Sequence, residues 1–242
     1  MMISVCIATY NGAQYVEQQI LSILDQLGKK DEIIIVDDCS TDRTLGIIKT
    51  INDSRIKVHE NKYNLGVATT FGRAMSLAKG DIIFTADQDD LWYDNKVQSI
   101  VNLFNMDKLV TLIITDTKII DGDNIVVTDS YFKKRGGFKV GFISNMIKNK
   151  YLGCTMAFKP EMRKYILPFP NKIPSHDMWI GLMNSIYGEI RFIDIPLMGY
   201  RRHGENVSPI VHQSIWKIII WRLIFIYRLL QRAFKILFEK SW

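Results

Sequence analysis

Asp87, Asp89 and Asp90 fall within four positions, in the stretch FTADQDDLW (84–92). Like charges this close repel one another, and each is costly to bury unpaired. A solvated acidic turn is one reading, and an incomplete calcium loop is another. The calcium loop fails, because Leu91 stands where that loop needs an oxygen ligand and no glycine follows. The reading with chemical content is a hard divalent cation, Mn2+ or Mg2+, held by carboxylates while it grips a substrate phosphate. Such a cation removes the repulsion and neutralises charge on a diphosphate.

Two further groups carry chemistry. In IPSHDMWIGL (173–182), Asp177 sits beside Ser175 and His176 at the start of an apolar helical pattern. It reads either as a helix N-cap or as a general base taking a proton from a hydroxyl. In YRRHGENVS (200–208), Arg201, Arg202 and His203 read either as a solvated loop or as a clamp on an anion. No G-x-x-x-x-G-K-[ST] occurs, nor a G-x-G-x-x-G after a strand, so P-loop and dinucleotide sites lose their support.

The elements that must position these groups are legible in the first hundred residues. ISVCIATY (3–10) is a β-branched run ending at Asn11-Gly12, and AQYVEQQILSILDQ (13–26) places Val16, Ile20, Ile23, Leu24 and Leu27 at helical spacing. A second strand over 33–36 runs into Asp37 and Asp38 and a helix-start signal. A weaker strand (55–61), a helix ended by Gly80, the strand IIFTAD (82–87) and a helix over 95–105 complete four alternations. This pattern predicts a mostly parallel α/β sheet, whose ligands sit beyond the carboxyl ends of its strands. Thr9, Tyr10 and Asn11, then Asp37 and Asp38, then Asp87 to Asp90 should all emerge at that edge. Beyond residue 109 the pattern loosens: strands over 109–121 and 122–129, a mobile basic loop over 133–139, a strand at 153–158, a helix at 175–188 and a strand at 191–196.

Cys6, Cys39 and Cys154 are odd in number and far apart, which argues against a disulfide framework or a zinc knuckle and fits a reducing compartment. The N-terminus lacks the basic start and apolar length of a signal peptide, and no stretch has the length of a membrane span. A cytoplasmic location is therefore expected. The net charge of +6 could suggest nucleic acid. Its placement says otherwise: from His212 onward six basic residues face one acid, so nearly all the excess belongs to the tail.

The ordered motifs SVCIATYNGAQYVEQQILSIL, IIIVDDCSTDRT, NLGVATTFGRAMSLAKGDIIFTADQDDLW, HDMWIGL and YRRHGENVS resemble family 2 glycosyltransferases. The resemblance spans residues 3 to about 208. It implies the GT-A fold, a Rossmann-like sheet flanked by helices over 1–208, and inverting transfer from a nucleotide-diphosphate sugar to a glycan or lipid-linked acceptor. The DQDDLW, HD-W and YR-H--N forms are most similar to rhamnosyltransferase-like members that build bacterial cell-surface polysaccharide. By the same resemblance Thr9, Tyr10, Asn11, Asp37 and Asp38 hold the nucleotide. Asp87 and Asp90 stand at the sugar, with Arg201 and Arg202 at the diphosphate. Asp89, Asp87 and His203 are the metal ligands, and Asp177 is the catalytic base. One departure is Cys39, where the family commonly has glycine; a left-handed turn there would strain it. The rival readings are a sugar nucleotidyltransferase, which wants an arginine in the loop after the first strand, and a non-catalytic nucleotide-sugar or glycan-binding module.

The tail, 212–242, is an amphipathic helical pattern. Lys217, Arg228, Arg232 and Lys235 share one arc, while Ile219, Leu223, Ile226, Leu230, Phe234 and Leu237 face away. Such a helix lies in a membrane surface, here the inner face of a bacterial membrane, or packs on the domain or a second subunit.

Overall fold

The β-branched runs take the places their patterns predict. A computed structural model describes residues 1–203 and 214–239. In it β1 (Ile3–Thr9), β2 (Glu32–Asp37), β3 (Ile56–Glu60) and β4 (Ile82–Ala86) are parallel, in the order β3-β2-β1-β4. Alternate residues face opposite layers. Val5, Ile7, Ile33 and Ile35 pack against α1 (Val16–Leu24), α2 (Thr44–Thr50) and α4 (Lys96–Met106). Cys6, Ile34 and Val36 pack against α3 (Val67–Leu77) and α8 (His176–Tyr187). Both faces are covered, as parallel sheets require.

The second half of the sheet is mixed. β8 (Met156–Phe158) runs antiparallel to β4 and to β6 (Val110–Ile120), while β9 (Glu189–Arg201) runs parallel to β6. β7 (Val126–Thr128) lies antiparallel on the end of β6. The strand expected over 191–196 is longer at both ends. Its extension matters, because the two-residue β5 (Leu91–Trp92), directly after Asp90, pairs with Met198 and Gly199. That pairing draws the end of β9, with Arg201 to His203, up to the acidic cluster.

Between these strands lie α5 (Tyr131–Lys134), α6 (Phe142–Ile147) and α7 (Arg163–Ile166). The basic segment 133–139, expected as a mobile loop, begins as the end of α5 and is tied down: Lys150 donates to the Gly136 and Gly137 carbonyls, and Phe138 stacks on Phe192. The tail forms α9 (Ile215–Glu239), which docks Phe225 and Leu229 into the second layer. Arg232 is not on a solvent face as its arc suggested. It is buried, donates to the Tyr165, Leu167 and Pro168 carbonyls, and lies 5.5 Å from the Trp179 ring. Among the described residues no helix is long and apolar enough to cross a membrane. The GENVS end of the last motif, the expected boundary at 208–212 and Lys240 to Trp242 lie outside the described residues.

Candidate active site

The carboxyl ends of β1, β2 and β4 meet at one edge, and the side chains there divide by how they are satisfied. At β2 each carboxylate oxygen has at least one donor. Thr9 Oγ1 donates to Asp37 Oδ1 at 2.8 Å, and Ser40 donates to both carboxylate oxygens of Asp37. Asp38 accepts from Asn61 Nδ2 (2.7 Å), Leu65 N (2.8 Å) and Gly66 N (2.8 Å), which fixes the chain entering α3. Gly66 has φ +81°, a conformation that other residues adopt only with strain. The strain foreseen at Cys39 is present: its φ is +65°, with its thiol 3.2 Å from the Asn61 carbonyl. Asn11, also at positive φ, accepts from Thr41 N and donates its own N–H to Ser40 Oγ. Tyr10 leaves its ring half exposed at the rim while Gln88 bonds both its N–H and its carbonyl. Gln88 lies across Gly12, where any side chain would collide with it.

The β4 end is different. Asp90 is fully buried; Oδ1 accepts from Arg201 N at 3.0 Å, and Oδ2 has no hydrogen-bond partner among the described residues. Asp87, Asp90 and the buried Cys154 each bring one donor atom to within 4.8 Å of the others. Burial first, then the charges of Asp89 and Asp177, pushes the Asp87 carboxyl up to about 7. Asp90 is pushed well above the carboxylate range, by burial and then by Asp87 and Asp89. Burial, then Asp90 and Asp87, likewise keeps the Cys154 thiol protonated.

Sequence reasoning passed over the partner of this cluster, Lys96. It is fully buried, donates to the Cys154 carbonyl (3.0 Å) and the Met198 sulfur, and sits 4.4 Å from the Trp92 ring. Burial lowers its ammonium to about 8. Nothing in NKVQ marks the lysine, which only the fold turns inward.

Asp89 lies beside the cluster, a sixth exposed, with Oδ2 2.8 Å from His203 Nε2. The two side chains therefore converge on one point. Arg201, expected at an anionic group, is fully buried. Its guanidinium donates to the carbonyls of Asp89 (2.7 Å), Asp121 and Gly122 and to Gln18 Oε1, and stacks 4.4 Å from Tyr15. It holds the acidic turn in place and is a positioning residue in this geometry. Arg202 stays half-buried beside the Tyr200 hydroxyl.

The two readings of Asp177 separate cleanly. The N-cap of α8 is Ser175, whose hydroxyl accepts from Met178 N at 3.1 Å. Asp177 is thereby released from capping and stands in the first turn, about a quarter exposed. A Cβ on Gly153 would lie 2.3 Å from its carboxylate, so only glycine fits there. His176 Nε2 lies 2.8 Å from Asp177 Oδ1, its ring stacked 5.0 Å from Phe71. Burial pushes the Asp177 carboxyl up, but the charge and hydrogen bond of His176 and the Gly153 N–H outweigh it and hold it below the usual range. Gly153, which lies against the Asp177 carboxylate, directly precedes Cys154 of the Asp87–Asp90 cluster, so this segment links the two acidic groups.

The arrangement has recognisable relatives. The pattern of glycosyl transferase family 2 matches residues 4–166. The chain belongs to that family. TuaG of Bacillus subtilis (strain 168), a putative teichuronic acid biosynthesis glycosyltransferase, is 27% identical over 227 residues, 88% of each chain. WfaP of Escherichia coli, a UDP-Glc:alpha-D-GlcNAc-diphosphoundecaprenol beta-1,3-glucosyltransferase, is 38% identical over 108 residues, 45% of this chain and 43% of its own. Staphylococcus aureus TarS 1–349 in complex with UDP-GlcNAc superposes with a TM-score of 0.72 over 93% of this chain and 66% of that one, at 20% identity. The mannosyltransferase PcManGT from Pyrobaculum calidifontis, in complex with GDP-Man and Mn2+, gives 0.59 over 80% and 54% at 22% identity. The fold of this glycosyltransferase is thus GT-A, with a mixed sheet between helical layers and α9 added at the end.

Proposed function

We propose that this glycosyltransferase moves a sugar, with inversion, from a nucleoside-diphosphate sugar to a hydroxyl of a lipid-linked saccharide at the inner face of a bacterial membrane. The observation that carries the reading is Asp177, relieved of capping by Ser175, kept ionised by His176 and packed on Gly153, the residue before Cys154 of the acidic cluster. Its carboxylate accepts the proton of the acceptor hydroxyl as that oxygen attacks the anomeric carbon. The bond from this carbon to the diphosphate breaks on the opposite face, and its electron pair leaves with the nucleoside diphosphate. Inversion needs no covalent enzyme intermediate.

The donor's place follows from the β1 and β2 ends. The buried Thr9–Asp37 pair supports the strand ends beneath the donor, Asp38 fixes the loop into α3, and the exposed Tyr10 ring offers the base a stacking surface. The donor set fits a divalent cation. Asp89 and His203 converge at the crevice with the raised Asp87 carboxyl beside them, whereas the protonated Cys154 thiol suits a hard ion poorly. When bound, Mn2+ or Mg2+ supplies charge neutralisation at the diphosphate. Arg202 and His203 border the same place.

Rhamnose is the donor sugar favoured by the motif forms; WfaP, by its name, uses UDP-glucose. A panel of UDP-, GDP- and dTDP-sugars with a polyprenyl-diphosphate saccharide acceptor tests the reading. Product with an inverted anomeric centre is expected with one donor class, and no glycosidic product from any donor would sink it.

A further inference from the structure

The helix α9 has three faces. One docks on the domain through Phe225, Leu229 and Arg232, and Arg222 reaches Met178, the residue after the catalytic base, at 3.2 Å. The second is a broad apolar stripe left exposed: Trp216, Leu223, Leu230, Phe234 and Leu237 are each at least 60% accessible. It runs nearly the whole helix, roughly 32 Å at the α-helical rise. The third, between them, carries Lys217 and Lys235, with Arg228 half-buried there and donating to the Asn171 carbonyl and to Gln231. No acid occurs from 215 to 238.

An exposed apolar face of this size on a folded chain calls for a partner. A second copy fits poorly, because pairing two such helices would set one all-basic flank beside another. An anionic sheet of headgroups over hydrocarbon matches both features at once: the stripe enters the acyl boundary while the cations stay at the phosphates. Trp216, Trp221 and Tyr227 are amphipathic rings suited to that depth.

We infer that the exposed face of α9 inserts into an anionic bilayer surface, while its opposite face locks the membrane plane beside the helix that carries Asp177. The sequence pattern suggested a helix lying on lipid by its basic arc. The structure makes it a bracket, in which Arg232 belongs to the dock and the Leu223–Leu237 side to the lipid. The acceptor is then drawn from the bilayer directly to the base. This deepens the proposed function and rests on it for the acceptor only.

The test uses the full chain with phosphatidylglycerol-rich and phosphatidylcholine vesicles at low and high salt. The triple variant Leu223→Glu/Leu230→Glu/Leu237→Glu changes only solvent-facing positions; circular dichroism and UDP affinity confirm that it is folded. The parent is expected to co-sediment with the anionic vesicles at low salt and to release at high salt. The variant should bind at least tenfold more weakly and keep its UDP affinity. Failure of the parent to bind anionic vesicles overturns the inference. So does a variant that binds as well as the parent, or one that turns a dimer into a monomer with vesicle binding unchanged. Sedimentation needs no turnover, so failure here leaves the transferase reading standing, and an inactive donor panel leaves this result standing.

Discussion

Two strand ends, only two strands apart in the sheet, carry paired acids and treat them in opposite ways. At β2, Asp37 and Asp38 are surrounded by hydroxyl, amide and backbone donors. At β4, Asp87 and Asp90 have few donors, a buried thiol and a lysine as company, and both are pushed up. A carboxylate rich in donors is architecture: it holds its loop. A carboxylate starved of donors is held at a cost, and that cost is recovered when a cation arrives. In the proposed reading the same residue type shapes the donor site at β2 and holds the cation at β4.

The largest effect should come from the acid that belongs to neither pair. Asp177→Asn is expected to retain nucleoside-diphosphate affinity but lose about 10²-fold or more in kcat, since an amide cannot take the proton. Because Ser175 keeps the cap, the melting temperature should hardly move; single-turnover transfer and thermal unfolding on one preparation check both. Next comes Asp89→Asn. It should weaken nucleoside-diphosphate binding in Mn2+ by more than about 10-fold, the scale for disturbed metal sites, with no loss in metal-free buffer. Calorimetric titration with and without Mn2+ reads the difference, and equal affinities would remove the metal from Asp89.

The same contrast explains what the sequence disclosed. β1, α1, β2, α3, β4 and α4 are locally patterned, so periodicity and turn residues located them, and the acids at their ends followed. The left-handed turn at Cys39 could be anticipated because glycine is the usual solution there. β5 and β8 are two and three residues long, and no local pattern specifies them. Their existence depends on partners far away in the chain, Met198 and Gly199 for β5 and Ile83 and Phe84 for β8. Everything those strands position was therefore hidden: Arg201 turned inward, Lys96 under the acidic turn, and Gly153 against Asp177. Asp177 itself was legible as a candidate, but only the structure shows that Ser175, not Asp177, caps the helix. In the tail the apolar and basic arcs were plain. Which arc met the domain was not, because Arg232 has the same wheel position whether it points to water or to three carbonyls.

The third prediction applies one chemical change to both strand ends. Asp38→Asn turns an acceptor of three N–H groups into an amide that must point a donor at one or more of them. It should cost about 1–3 kcal/mol of unfolding free energy, the scale for leaving buried donors unsatisfied, read by urea denaturation. The fourth concerns pH. Metal capture at Asp87 requires loss of a proton held with a pKa of about 7. The apparent Mn2+-dependent affinity for nucleoside diphosphate should therefore be level above that pH. Below it, affinity should fall by up to roughly 10-fold per unit. A flat profile down to about pH 5 would show that Asp87 is already ionised without metal.

The smallest effect is also the sharpest contrast with Asp38. Asp90 is raised in the folded chain, so its protonated form is the one the fold favours. For such a group the stabilisation is complete at a pH below the unfolded carboxyl value. It is lost as pH rises from there through the folded value. In the metal-free protein the Asp90 contribution therefore weakens between mildly acidic and neutral conditions. Asp90→Asn replaces the neutral acid with a near-isosteric amide and removes the titration. Its melting temperature should match the parent's at about pH 5 and equal or exceed it at about pH 8, by an amount worth at most about 1 kcal/mol at the melting point. The advantage should vanish when Mn2+ and nucleoside diphosphate are added, because a ligand that binds only the folded parent stabilises it by mass action. Thermal unfolding of both proteins across that pH range, with and without Mn2+ and nucleotide, decides the matter. If Asp90→Asn is destabilised throughout as Asp38→Asn is, the carboxylate of Asp90 is satisfied after all and the two strand ends are alike.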